Sequence, residues 1–141
     1  MPRILDSRSR MLLRVLTAIG LAVDAYIHAD LAGQFDGNVG SGGISQGDLF
    51  RIEAGAASLA ALVVLLHGRR IAAGFAFVVA ASALAAVLVT RYWDIGAIGP
   101  LPDMYDPAWY TEKTISAIAE AVAMVASAVL LTVLVRRRRV R

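Results

Sequence analysis

Four long apolar stretches constrain this chain more than anything else in it. They run from about Met11 to Ala29, Leu49 to His67, Ile71 to Thr90 and Ile115 to Val135. A helix needs about 20 apolar residues to cross about 30 Å of hydrocarbon, and each stretch is near that length. Transmembrane strands would be shorter and would alternate. Within lipid the backbone must satisfy its own polar groups, so each stretch reads as a helix. Composition agrees: 58% of the 141 residues are hydrophobic, only 18% are charged, and mean hydropathy is +0.65. An ordinary soluble domain is roughly 45–50% apolar with about a quarter charged, so that class and disorder are both excluded. The expectation is an all-α integral membrane four-helix bundle forming one domain over residues 1–141. Its helices are expected at about 11–30, 48–67, 71–93 and 112–135. Outer loops would occupy 31–47 and 94–111, and a basic tail 136–141. The absence of cysteine excludes disulfides, thiolate-bound metal centres and thiol catalysis.

Placement of the charges sets an expected orientation. The N-terminal segment, the connector Gly68-Arg69-Arg70 and the tail together hold eleven arginines against one acid, Asp6. The two long loops and their flanks hold Arg51, Arg91 and Lys113 against ten acids. The positive-inside rule then puts both termini and the connector in the cytoplasm of a plasma-membrane protein. Aromatic residues gather at the other side: Tyr26, Phe35, Phe50, Tyr92, Trp93, Tyr105, Trp109 and Tyr110. The first span has the basic-then-apolar order of a secretory signal. Cleavage would leave three spans and put the arginine tail outside, so retention is expected. The tail reads as a topology anchor meeting anionic lipid heads. Without interleaved aromatics it is a poor nucleic-acid signature, and no nucleic-acid partner is expected.

The second and fourth spans match in register. Glu53-Ala54-x-Ala56 before Arg69-Arg70 corresponds to Glu120-Ala121-x-Ala123 before Arg136-Arg137, at a constant offset of 67. Tyr26 and Tyr92 are offset by 66. This points to two duplicated helical hairpins, against a background of chance likeness between alanine-rich segments. Small residues crowd the second and third spans, as close helix packing in lipid requires.

Each helix carries polar or small residues at helical spacing. These are Thr17, Gly20, Asp24 and His28; Glu53 with Ala56, Ala57 and Ala60; Ser82, Ala86 and Thr90; and Ser116, Glu120, Ala123 and Ser127. If the stripes turn inward, Asp24, Glu53 and Glu120 meet one to two turns below the outer surface. Acids at such depth are costly unless they are paired, protonated or wet. His28, Arg51, Arg91 and Lys113 are the available partners, and Tyr26 and Tyr92 are expected at the mouth. Two outcomes fit: a polar pocket opening outward, with Asp24, His28, Glu53, Arg91, Glu120, Tyr26 and Tyr92 as ligand-binding residues, or an interhelical network that fixes the bundle. A metal, if one binds, would take His28, Asp24, Glu53 and Glu120 as O/N ligands. The Glu-x-x-His pairs of carboxylate bundles are missing. His28 and His67 lie at opposite faces and cannot clamp one haem.

No Ser-His-Asp set and no phosphate-binding glycine loop is readable, so no catalytic residue is assigned and a non-enzymatic role is expected. Gly33, Gly37, Gly40, Gly42, Gly43 and Gly47 read as a flexible outer loop, with a hairpin turn at Asp36-Gly37-Asn38. Ser45 and Asp48 form a capping-box pattern, and Asp106-Pro107 reads as another helix start. Gly99–Tyr105 reads as a stiff lid or a surface anchor.

The stretch Arg91-Tyr92-Trp93-Asp94 through Gly99-Pro100-Leu101-Pro102-Asp103-Met104-Tyr105-Asp106-Pro107, with Trp109 and Glu112-Lys113, resembles a family of small four-helix membrane proteins from high-GC actinobacteria. More broadly, the architecture is similar to the DoxX-like superfamily. That resemblance implies an association with quinone or redox chemistry and carries over no catalytic residue. The leading expectation is a membrane module whose pocket binds a small ligand, a lipid headgroup, a quinone or a cation from the outer side. One alternative is an accessory subunit of a larger membrane complex. The other is a proton-coupled transporter, possibly a homodimer, using Glu53 or Glu120. The near absence of ionisable groups in the inner helix halves argues against the transporter.

Overall fold

The computed structural model describes residues 6–139. Arg3, Val140 and Arg141, and the side chains of Arg138 and Arg139, lie outside the described residues. Four helices follow one another: α1 (Ser7–Leu31), α2 (Gln46–Leu66), α3 (Arg70–Tyr92) and α4 (Thr111–Arg139). A 3-10 turn, Ala32–Phe35, extends α1. All four helices are long and apolar enough to cross a membrane. No strand forms among the described residues, only the isolated bridges Val39–Ser45 and Ile98–Leu101.

Local chemistry explains the helix bounds. Asp6 caps α1 by accepting from the Ser9 amide at 2.7 Å, which starts the helix before the apolar run does. That amide also holds the Asp6 carboxyl below the usual carboxylate range. The capping box at α2 forms as its sequence pattern implies. Ser45 Oγ accepts from the Asp48 amide at 2.9 Å, and the Ser45 amide donates to Asp48 at 3.0 Å. At the far end of α2, Arg14 of α1 donates to the carbonyls of Val64, at 3.1 Å, and Leu65. A guanidinium thus satisfies two of the carbonyls a helix C-terminus leaves unpaired.

Asp106-Pro107 does not start a helix. The Asp106 side chain accepts from the Ala108 amide at 3.2 Å, closing a local turn, and α4 begins only at Thr111. The competing partner is Lys113, whose Nζ lies 2.6 Å from the Asp106 carbonyl and 3.2 Å from its carboxylate.

The helices form a ring in chain order. α1 packs closely on α2 and α4, and α3 on α4, while α2 and α3 touch far less. Gly20 permits the tight α1–α4 crossing: an added Cβ would stand 2.7 Å from the Ala119 carbonyl oxygen and 3.0 Å from the Ala123 Cβ. The core is alanine-rich, with Ala57, Ala60, Ala73, Ala76, Ala80 and Ala123 fully buried beside Leu21, Val64 and Leu130. The inward face of α3 therefore runs through Ala72, Ala76, Ala80 and Ala83. Ser82 and Ala86, expected to turn inward, are exposed. The outer surface of the bundle is apolar, with Leu59, Leu62, Val78, Ile118 and Val125 exposed.

The two long connections lie at one end, called here the loop end; the other is the connector end. The loops clasp each other. Asn38 Nδ2 donates to the Asp103 carbonyl at 2.7 Å, Ser41 Oγ to the Gly99 carbonyl at 3.1 Å, and the Gly42 amide to the Pro100 carbonyl at 3.3 Å. The glycine-rich segment is thus pinned, where its composition implied flexibility. Its hairpin closes at Val39–Ser45, beyond Asp36-Gly37-Asn38, with the Gly40 amide donating to the Ile44 carbonyl at 2.9 Å.

Candidate functional site

Helical spacing places Asp24 and His28 on one face of α1. Asp24 lies seven residues before the helix end at Leu31, about 10 Å of depth at 1.5 Å per residue. Glu53 lies seven residues into α2 and Glu120 nine residues into α4, so all three acids reach a similar level. Asp24 and Glu120 are both 0% exposed.

One hydroxyl joins them. Ser116 Oγ lies 2.8 Å from Asp24 Oδ1 and 3.0 Å from Glu120 Oε1. His28 Nδ1 lies 2.9 Å from Asp24 Oδ1 and 3.1 Å from the Asp24 carbonyl oxygen. Both neighbours of that nitrogen are acceptors, so Nδ1 carries a proton. Glu53 stands beside the group, within interaction range of Asp24 and His28. One oxygen on each acid, Asp24 Oδ2, Glu53 Oε1 and Glu120 Oε2, is buried without a hydrogen bond.

None of the three loop-end cations neutralises this cluster. Arg51 pairs with Asp36, at 2.7 Å, and Asp48, at 3.5 Å. Lys113 pairs with Asp106. Arg91 lies over the rings of Tyr92, at 4.9 Å, and Trp109, at 5.7 Å. Only His28, of the partners the sequence offered, meets the acids.

Beside the cluster lies a cavity of about 380 Å³, where α2 and α3 part. Its inner wall is His28, Glu53 and Ser116. Its roof is Leu101, Met104, Asp106 and Tyr110 from the α3–α4 loop, and its rim includes Ile52, Ser82 and Ala86. Those three rim residues are exposed on the flank of the bundle, so the opening faces sideways between α2 and α3. Burial pushes the Tyr110 hydroxyl up from its ordinary value, aided by the nearby Asp106 carboxyl, which keeps a neutral phenol at the roof.

The structure therefore brings together Asp24, His28, Glu53 and Glu120. It does not bring Tyr26, Tyr92 or Arg91 to them. Tyr26 is 71% exposed and edges a separate apolar groove between α1 and α2. Two residues from Asp24 is about 200° around a helix, so the two side chains point apart. Tyr92 is exposed and stacks near Trp93 and Trp109, at ring separations of 6.2 and 6.5 Å. The bridging role of Ser116 is visible in retrospect from its i, i+4 spacing to Glu120. Leu101 and Met104 of the roof belong to Gly99–Tyr105, the segment read as a lid or a surface anchor, whereas Asp106 and Tyr110 carried no such signal. Family models, curated proteins and solved structures offer no match to this chain.

Proposed function

We propose that this chain is a multi-pass membrane protein that binds an amphiphilic small molecule, admitted from the lipid between α2 and α3. The observation that carries the reading is the lateral cavity ending on Glu53 and His28. Four membrane-length helices with an apolar exterior support insertion. The arginine distribution supports termini in the cytoplasm and a loop end facing outward. In that frame the opening lies at the depth of the outer leaflet.

The ligand's polar head faces a carboxylate oxygen, Glu53 Oε1, that has no donor. A hydroxyl or amine head supplies one, and the cavity's mostly apolar wall takes the chain. The transporter reading draws less support. Toward the connector end the core is apolar, and Thr17 and Ser127 bond the carbonyls of Leu13 and Ala123 in their own helices.

The test is photolabelling in lipid vesicles with a diazirine-bearing long-chain alkylamine. Labels are expected on residues 49–53 and 82–87. Glu53→Gln should weaken labelling by about tenfold, the loss of one charge-assisted hydrogen bond. Ala86→Phe at the rim should abolish it. Labels spread evenly over all four lipid-facing helix surfaces would contradict the proposal.

A further inference from the structure

We propose that Asp24, His28 and Glu120 form a binding site for a divalent first-row transition-metal ion. One ligand atom from each of the three lies within 4.8 Å of the others, a separation that a single ion can span. The three residues come from two helices held in close contact through Gly20, so their positions are set by packing.

Two features of the Asp24–Glu120 pair leave room for one positive charge, which a shared proton supplies in the metal-free protein and a metal ion can replace. First, Asp24 Oδ2 and Glu120 Oε2 belong to fully buried side chains and have no hydrogen bond. Native proteins rarely leave such atoms unsatisfied without a functional reason. Second, Ser116 has one hydroxyl proton and two carboxylate neighbours. A further proton or a cation must sit among these groups, and the nearby arginines and lysine are committed elsewhere.

The donor set selects the ion. Two carboxylates, an imidazole and a nearby hydroxyl suit manganese, iron, cobalt or zinc in the divalent state. Imidazole disfavours calcium and magnesium, which prefer oxygen alone. Binding displaces the proton shared between His28 and Asp24, so affinity rises with pH. The site shares His28 with the cavity wall, but the metal also needs the buried Asp24 and Glu120, and the amphiphile also needs the α2–α3 gap.

The experiment uses the full chain in detergent, stripped with a chelator and titrated with Co²⁺ by visible absorption and Mn²⁺ by electron paramagnetic resonance. One ion per chain is expected, with calcium failing to compete. Glu120→Gln and His28→Gln should each weaken binding more than about 100-fold, beyond what loss of an outer partner does. The metal-free Tm of Glu120→Gln should not fall, because Gln keeps the shape and its amide N–H can donate where the shared proton did. Its metal-induced rise in Tm should vanish. Ala86→Phe should leave metal binding intact while blocking photolabelling, which separates failure of this site from failure of the cavity. Absence of saturable Co²⁺ or Mn²⁺ binding near neutral pH, or equal binding by Glu120→Gln, would overturn the proposal.

Discussion

Ser116 Oγ stands within hydrogen-bond distance of both the Asp24 and the Glu120 carboxyl groups. Replacing it with alanine removes a buried hydroxyl partner from Glu120 Oε1, while Asp24 Oδ1 keeps His28 Nδ1 at 2.9 Å. Ser116→Ala is expected to cost about 1–3 kcal/mol, the range for orphaning a buried polar group. Reversible unfolding in detergent measures it, and an unchanged midpoint would mean the hydroxyl is dispensable. The cluster itself was legible because Asp24, His28, Ser116 and Glu120 obey helical spacing. Tyr26 and Tyr92 were drawn to it by depth alone. Depth along a helix can be counted from a sequence, but the facing direction depends on which neighbour packs there.

Among the elements, the α1–α4 seam is the least forgiving. Gly20→Ala would drive a Cβ into the Ala119 carbonyl, and overpacking of this kind costs about 1–3 kcal/mol. Gly55→Ala meets nothing within 4 Å and should be neutral or slightly stabilising, by up to about 1 kcal/mol of helix propensity. Thermal unfolding of the pair separates backbone crowding from propensity, and equal effects would rule the crowding out. The loop clasp has a pH dependence of defined sign. The Arg51 guanidinium, 2.7 and 2.9 Å from the Asp36 oxygens, holds that carboxyl below its usual range. A depressed folded-state value means the tie is complete above the ordinary carboxylate range and is lost as pH falls through the lowered value. Amide exchange across residues 36–45, corrected for its intrinsic pH dependence, should therefore quicken in acid. In Asp36→Asn that acid response should be absent. Of these elements, the α2 capping box was readable because its parts lie three residues apart. The face of α3 was not, because in an alanine-rich helix small residues occur on every side and leave no polar contrast. The start of α4 was expected at about 112 and lies at Thr111, whereas the helix start read at Asp106-Pro107 is only a local turn, whose Asp106 also meets Lys113.

At the scale of the whole molecule, the basic balance of the chain is a matter of distribution. The acids gather at the loop end, where the cluster and the cavity lie. The offset of 67 that relates Glu53 to Glu120 in the sequence has no counterpart in the packing, because the bundle departs from two-fold symmetry. A symmetric pair of hairpins would make the α1–α4 and α3–α2 contacts alike, whereas α1 is close to α4 and α2 stands off from α3. On the register shared by Tyr26 and Tyr92, the position answering to Asp24 is Thr90, which bonds the Ala86 carbonyl of its own helix at 2.8 Å. α3 thus lacks the acid that α1 contributes, and the open side of the ring falls beside it. Amphipathic charge and span length were plain in the sequence. The gap was not, since it results from how four similar helices divide a limited set of contacts. The most direct measurement is a crystal structure of the full chain grown from a lipidic mesophase. The proposed function predicts α2 and α3 parted at the loop end, with elongated density running from between Ile52 and Ala86 to Glu53. A map in which α2 and α3 pack together along their full length, with Ser82 and Ala86 pressed against α2 and no cavity beside Glu53, would contradict it.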